Sequence, residues 1–268
     1  MDHGAFYRTM VERNIGVISA EEQERLRNTC IAVAGCGGIG GLSAEQLVRL
    51  GVGHVKIADF DHFEIHNLSR QSSSTTHTIG HPKVEVLARH FKAINPGLQI
   101  DTFNDGVHAE NVEEFVRDAA IAIDGIDYNC FYNTVVLDRA ARKEGICVLD
   151  PLAVGFGTSV LVFGPQTVSI EEYVGLRPGA SREEIERFSI PIEKFAPYIP
   201  SYVNVGLARV AALAKINFPN IIMPQHLGTA VAVSEAVMIL LGRVAAPKGP
   251  GPRVFTLDLQ DRKFEVTG

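Results

Sequence analysis

The chain has 268 residues, 46% of them hydrophobic and 21% charged, with a net charge of −6. This length allows a substantial core, and the composition is globular without a disorder bias. The negative balance argues against a general nucleic-acid or membrane-surface binder, while leaving room for a local basic pocket. No run of 18 uncharged apolar residues occurs; the nearest stretch, 226–242, contains His226 and Glu235 and reads as a buried helix. The N-terminal MDHGAFYRTMVERN is polar, without the apolar core of a signal segment. Cys30, Cys36, Cys130 and Cys147 form no C-x-x-C pair, so a tetrahedral zinc knuckle is not expected. Reduced thiols and a cytoplasmic location follow as the default.

A helical arm is expected over 1–30. IAVA (31–34) is a short apolar run ending in glycine, which suits a central parallel strand. Ile39, Leu42, Leu47 and Leu50 lie at near-helical spacing in 39–50, and VKIA (55–58) makes the next strand. Residues 82–94 begin at Pro82 and carry Val84, Leu87, Ala88, Phe91 and Ile94, an amphipathic helix stopped by Asn95-Pro96-Gly97. A strand over 99–103, a helix over 110–118, a strand over 121–124, a helix over 131–143 and a strand over 146–150 continue the alternation. The order predicts an α/β fold with a Rossmann-like, doubly wound, mainly parallel sheet.

The pattern changes near Gly155. Residues 157–165 and 167–170 read as antiparallel strands, 176–184 as a loop leading to a short helix, and 191–201 as irregular. Apolar helices are expected near 202–216 and 226–241, and RVFTLDL (253–259) alternates as a closing strand. With no repeat and no clear linker, one elaborated domain over 1–268 is expected. It comprises the arm (1–30), a nucleotide-binding core (31–154) and a substrate- and dimer-side extension (155–268).

Gly35-Cys36-Gly37-Gly38-Ile39-Gly40 is a G-x-G-x-x-G turn between a strand and a helix. Glycine lets the backbone turn tightly and approach phosphate, and the following helix N-terminus offers free N–H groups to an anion. Asp59 ends the next strand, 19 residues after Gly40, where a carboxylate accepts hydrogen bonds from ribose. These features mark a dinucleotide or an ATP site without distinguishing the two; the bland alternative is a tight turn with no ligand. Asp59-Phe60-Asp61 then leads to Asn67-Leu68-Ser69-Arg70-Gln71, with Lys83 at the next helix start. Two cations near the carboxyl ends of strands suit triphosphate charge, although either alone would read as a solvated surface group. Asp124-Gly125-Ile126-Asp127 closes a later strand; Asp127 is placed to hold Mg²⁺ against phosphates or to cap a helix.

On these motifs the chain resembles the ThiF/MoeB/HesA branch of the ubiquitin-activating-enzyme superfamily. The matching segments are GCGGIG (35–40), DFD (59–61), NLSRQ (67–71), Lys83 and DGIDYN (124–129), where Tyr128 separates Asp127 from Asn129. The spacings Asp59–Arg70, Arg70–Lys83 and Lys83–Asp127 are 11, 13 and 44. The resemblance also takes in AVGFG (153–157) and LGTAVAVSEAVMILLG (227–242), and covers residues 10–242. It implies ATP-dependent adenylylation of a carboxylate with release of pyrophosphate, followed by attack of a second substrate. By resemblance Gly35, Gly37, Gly38 and Gly40 line the nucleotide, and Asp59 with Asp61 takes the ribose side. Arg70 and Lys83 stabilise phosphate charge, Asp127 positions Mg²⁺, and Asn67 and Gln71 order the pocket. Arg13 resembles the family's N-terminal arginine, which reaches the neighbouring subunit's triphosphate, so a homodimer is implied.

Two departures bear on the acceptor. Many relatives carry two C-x-x-C pairs for zinc and a later cysteine for thioester or persulfide chemistry; this chain has neither. Weight therefore shifts from the C-terminus of a small ubiquitin-like carrier protein towards a peptide or a small metabolite as the carboxylate, or towards a dehydratase that passes through an adenylate. Cys130 reads as a small buried thiol. The pairs His62/His66 and His77/His81 are four apart, but no cysteine or carboxylate set completes a metal site. The segment 60–71 is expected to run extended over the nucleotide, and Tyr198–Tyr202 either shapes an acceptor pocket or packs a loop. Two other readings are an NAD-dependent oxidoreductase, which leaves Arg70, Lys83 and Asp127 idle, and a non-catalytic nucleotide-binding scaffold.

Overall fold

The structure, a computed structural model, describes residues 2–204, 206 and 219–268. Among them an eight-stranded sheet has the order β10-β9-β6-β5-β4-β1-β2-β3. Five strands form its parallel half: β1 (Cys30–Ala34), β2 (His54–Ala58), β3 (Gln99–Phe103), β4 (Ile121–Asp124) and β5 (Cys147–Val154). The antiparallel half is β6 (Gly157–Phe163), β9 (Arg253–Asp258) and β10 (Lys263–Thr267). The doubly wound sheet extended by antiparallel strands on the C-terminal side is thus the observed architecture.

β1 shows why both faces are covered. Ile31 and Val33 enter one apolar cluster and Ala32 and Ala34 the other, and all four have zero exposure. The first cluster receives Leu47 and Val48 of α3 (Gly40–Leu50), Leu87 and Phe91 of α4 (Lys83–Ile94) and Val233 of a late helix, α10 (Ile222–Leu240). The second receives Phe115 of α5 (Val112–Val116) and Val136 and Leu137 of α6 (Phe131–Glu144). A strand buried on both sides has no polar alternation, which is why IAVA reads as a continuous apolar run.

The N-terminal arm is helical, with α1 (His3–Met10), a 3₁₀ turn (Glu12–Asn14) and α2 (Ala20–Arg27). It docks at the C-terminal end of α3: the Tyr7 hydroxyl donates to Gly51 O at 2.7 Å, and Asn14 Nδ2 to Leu50 O at 3.1 Å.

Several elements depart from expectation. A strand over 167–170 is reduced to β7 (Gln166–Thr167), which pairs parallel with β8 (Lys248–Gly249) and not antiparallel. The reason is a capping box between Ser169 and Glu172, which turns the chain into α7 (Ile170–Val174). A second box, Ser181 with Glu184, starts α8 (Arg182–Arg187), and α9 (Ile192–Phe195) adds a turn of helix to the segment read as irregular. The helix read as 226–241 begins earlier, at Ile222, because Pro224 sits in its first turn, where no N–H is needed. β10 was not anticipated. The helix expected near 202–216 lies outside the described residues. No helix among the described residues is long and apolar enough to cross a membrane.

Candidate functional site

The sheet order reverses around β1, which has β2 on one side and β4 on the other. A crevice outside the carboxyl ends of the strands opens at such a point, and ligands bind there in open α/β sheets. Three loops meet at it. Gly35 N donates to Ala58 O at 2.8 Å, and Gly125 N to Ala34 O at 2.7 Å, so the glycine turn is tied to the ends of both neighbouring strands.

The glycines divide the work. Gly35 has φ +80°, and a Cβ there would overlap the Gly125 carbonyl. At Gly37 a Cβ would meet only Gln71 Nε2, at 3.7 Å, so this position faces open space. A Cβ at Gly38 would overlap the carboxamide of Gln225. The turn feeds α3, whose N-terminus carries no side-chain cap.

Asp59 spans the turn. Its Oδ2 accepts from Cys36 N at 2.6 Å and its Oδ1 from Asp61 N at 2.7 Å. Lys83, 4% exposed, donates from Nζ to Asp61 Oδ2 at 2.9 Å and stands 4.0 Å from Asp59 Oδ2. Burial pushes the Asp59 carboxyl above its ordinary value, against the pull of Lys83 and of the two backbone N–H groups. The lysine expected on phosphate is therefore held between the two carboxylates of the DFD segment.

The NLSRQ segment is not extended. A 3₁₀ turn, Ile65–Ser69, closes it, because the buried Asn67 folds back: its Oδ1 accepts from Glu64 N at 2.8 Å, and its carbonyl accepts from Arg70 N and Gln71 N. Asn67 thus holds the turn that presents Arg70 and Gln71. Arg70 is half-buried and donates to His66 O at 2.9 Å. Gln71 lies over Gly37, with its Oε1 buried and without a hydrogen-bond partner among the described residues.

Asp127 lies exposed in the loop that leaves β4 and, although it stands at the N-cap position of the 3₁₀ turn Tyr128–Cys130, its side chain makes no cap bond there. The Cys130 thiol is half-buried; burial raises it first, and Asp127, Asp61 and Asp59 raise it further. Arg13 does not join the group. It is exposed on the 3₁₀ turn Glu12–Asn14, docked at the far end of α3, about 16 Å along an 11-residue helix from the glycine turn.

The Tyr198–Tyr202 segment packs a loop. Tyr202 accepts from Phe156 N at 2.6 Å and donates to Asp258 Oδ2 at 2.7 Å; Tyr198 donates to Asp261 Oδ2 at 2.5 Å. These partners push both phenols up to about 12, with the Asp261 hydrogen bond leading for Tyr198 and burial for Tyr202. His66 pairs with Glu64, and no group of three or more His, Cys, Asp or Glu among the described residues is placed to hold a metal ion. Gln225 went unnoticed in the sequence, although one polar side chain in the first turn of a helix as apolar as IMPQHLGTAVAV was the available signal.

A glycine turn on a helix N-terminus, a buried carboxylate bonded to it and a cluster of opposed charges at a switch point are the marks of a Rossmann-like α/β protein. The model of the ThiF family matches residues 11–265, and the chain belongs to that family. It is 38% identical over 140 residues to the sulfur carrier protein ThiS adenylyltransferase of Bacillus subtilis, a match covering 52% of this chain and 41% of that protein. It is 34% identical over 156 residues to tRNA threonylcarbamoyladenosine dehydratase 2 of Saccharomyces cerevisiae, covering 55% and 33%. The chain thus aligns with less than half the length of these relatives. Among solved structures, PaaA matches 99% of this chain and 72% of its own at TM-score 0.65 and 20% identity. Escherichia coli MccB with ATP matches 92% and 65% at TM-score 0.68 and 16% identity. At those identities the two structures show the shared fold.

Proposed function

We propose that this protein is an ATP-dependent adenylyltransferase that activates a carboxylate as an acyl adenylate. The observation that supports the reading is the meeting of the glycine turn with the Asp59–Lys83–Asp61 cluster at the switch point of a ThiF-family fold, with Arg70 and the uncapped Asp127 on the segments that follow β2 and β4. A substrate carboxylate oxygen bonds to the α-phosphorus, the bond to the β-phosphate oxygen breaks, and pyrophosphate leaves with the electron pair. A second substrate then attacks the acyl carbon and displaces AMP.

Asp59 takes the ribose hydroxyls, and the N-terminus of α3 takes phosphate. Lys83 and Arg70 neutralise charge on the reacting phosphates, so catalysis is positioning and electrostatics. Asp127 offers an exposed hard oxygen donor with no capping bond to give up, which fits Mg²⁺ held jointly with phosphate oxygens. When bound, Mg²⁺ offsets phosphate charge. Arg13, remote from its own site, fits a homodimer in which it completes the partner's. The carboxylate belongs to a small metabolite, a peptide or the C-terminus of a small ubiquitin-like carrier, in a cytoplasmic biosynthetic or modification pathway. One unit spanning 1–268 carries the activity, with β6, β9 and β10 continuing the nucleotide-binding sheet.

The test is ATP–pyrophosphate exchange with Mg²⁺ and a panel of carboxylates, in the wild type and in Asp127→Ala. Exchange that vanishes in the variant, with the far-UV signature and denaturation midpoint retained, is expected. ATP that does not bind while NAD binds tightly would overturn the reading.

A further inference from the structure

Gln225 lies outside every motif of the site and yet sits against it. It is 3% exposed, in the first turn of α10, and its Oε1 is buried with no hydrogen-bond partner among the described residues. Its carboxamide fills the slot that a side chain at residue 38 would need. Gly38 is not among the glycines with positive φ, so its backbone does not require glycine; the room taken by Gln225 does. Burying a carbonyl without a partner is destabilising, and an apolar side chain of the same size would avoid that cost. A buried, unsatisfied amide placed over a phosphate-binding turn is accounted for when a ligand completes it.

The position narrows the ligand contact. Asp59 reaches the turn from β2, on one side of β1, whereas α10 packs on β5, β6 and α3, on the other. Thr229, one turn further along α10, donates to Ile39 O at 3.4 Å and fixes this helix against the glycine turn. A nucleotide with its ribose at Asp59 and its phosphates on the N-terminus of α3 therefore runs across Gly37 towards Gln225. We infer that the Gln225 carboxamide binds the phosphate end of the nucleotide, at the α-phosphate where transfer takes place. This rests on the ATP reading above. The amide suits the position chemically: rotation about its terminal torsion presents either N–H₂ to a phosphate oxygen or C=O to a donor.

The experiment is calorimetric titration with ATP and Mg²⁺ of the wild type, Gln225→Leu and Gln225→Met, together with denaturation midpoints. Both variants keep the volume over Gly38 and remove the carboxamide with its unpartnered Oε1, and Met keeps the unbranched shape should Leu fit poorly. ATP affinity reduced fivefold or more, in a variant at least as stable as the wild type, is the expected result. A purely structural role predicts the opposite pair, reduced stability with affinity changed less than fivefold, and that result overturns the inference. Wild-type protein that does not bind ATP overturns the functional reading with it; wild-type binding matched by the variants overturns the inference alone.

Discussion

Asp124 offers a sharp test of how the site is supported. It is 2% exposed at the end of β4; Oδ1 accepts from Ile126 N at 2.9 Å, and Oδ2 has no partner among the described residues. Burial, with a smaller push from Asp138, raises the carboxyl to about 7, against the pull of the Ile126 N–H and the Thr134 hydroxyl. The folded state therefore holds its proton through a range in which the unfolded chain, with an ordinary value of 3.8, has lost it. The folded state binds more protons there, so stability falls as pH rises. The contribution is whole below about pH 4 and is lost on the way up through about 7. Between pH 6 and pH 8 the unfolded carboxyl stays ionised while the folded one changes from mostly protonated to mostly ionised. Asp124 also raises the buried Asp150 carboxyl, so the two lose their protons as a pair, and the loss over that interval is on the order of 1 kcal/mol. Asp124→Asn keeps the acceptor for Ile126 and removes the titration. Urea denaturation of both proteins at pH 6, 7 and 8 measures the difference, and the wild type should lose on the order of 1 kcal/mol relative to the variant. A wild-type-minus-variant difference that stays constant across those three pH values would refute the assignment. The loop Asp124 supports ends in Asp127, so the same titration bears on the proposed Mg²⁺ ligand.

Three further outcomes follow from the geometry. Lys83→Met leaves Asp59 buried beside Asp61 without a cation; a loss of about 2 kcal/mol by chemical denaturation is expected, below the full cost of a broken buried pair because Asp61 is half open to solvent. ATP affinity should fall at least tenfold in the same variant; a variant as stable as the wild type would contradict the described ion pair. If Arg13 completes the partner's site, a mixture of Arg13→Ala and Arg70→Ala proteins, each inactive alone, regains about one quarter of wild-type exchange, because half of the randomly formed dimers hold one intact site. No recovery after subunit mixing would sink the shared-site proposal. Cys130→Ser should retain exchange within about twofold, because burial and three neighbouring carboxylates keep the thiol protonated and unreactive; complete loss in a folded variant would show otherwise.

Local chemistry was legible where one segment suffices to impose it. IAVA has to be a strand buried on both faces, GCGGIG has to be a turn into a helix, and alternating strand and helix patterns leave a parallel sheet as the economical arrangement. The sequence thereby determined the parallel half of the sheet, the glycine turn and the carboxylate at the end of β2. Only the tertiary structure decided what depends on contacts between segments far apart in the chain. It set Lys83 between Asp59 and Asp61, a pairing that requires α4 to begin beside the end of β2. It folded NLSRQ into a turn around Asn67, paired β7 with β8, and carried Arg13 to the far end of α3. It also brought Gln225 onto Gly38 across 187 positions of sequence. Periodicity and turn chemistry act over a few residues, whereas the meeting of two distant side chains is fixed by how helices pack on the sheet.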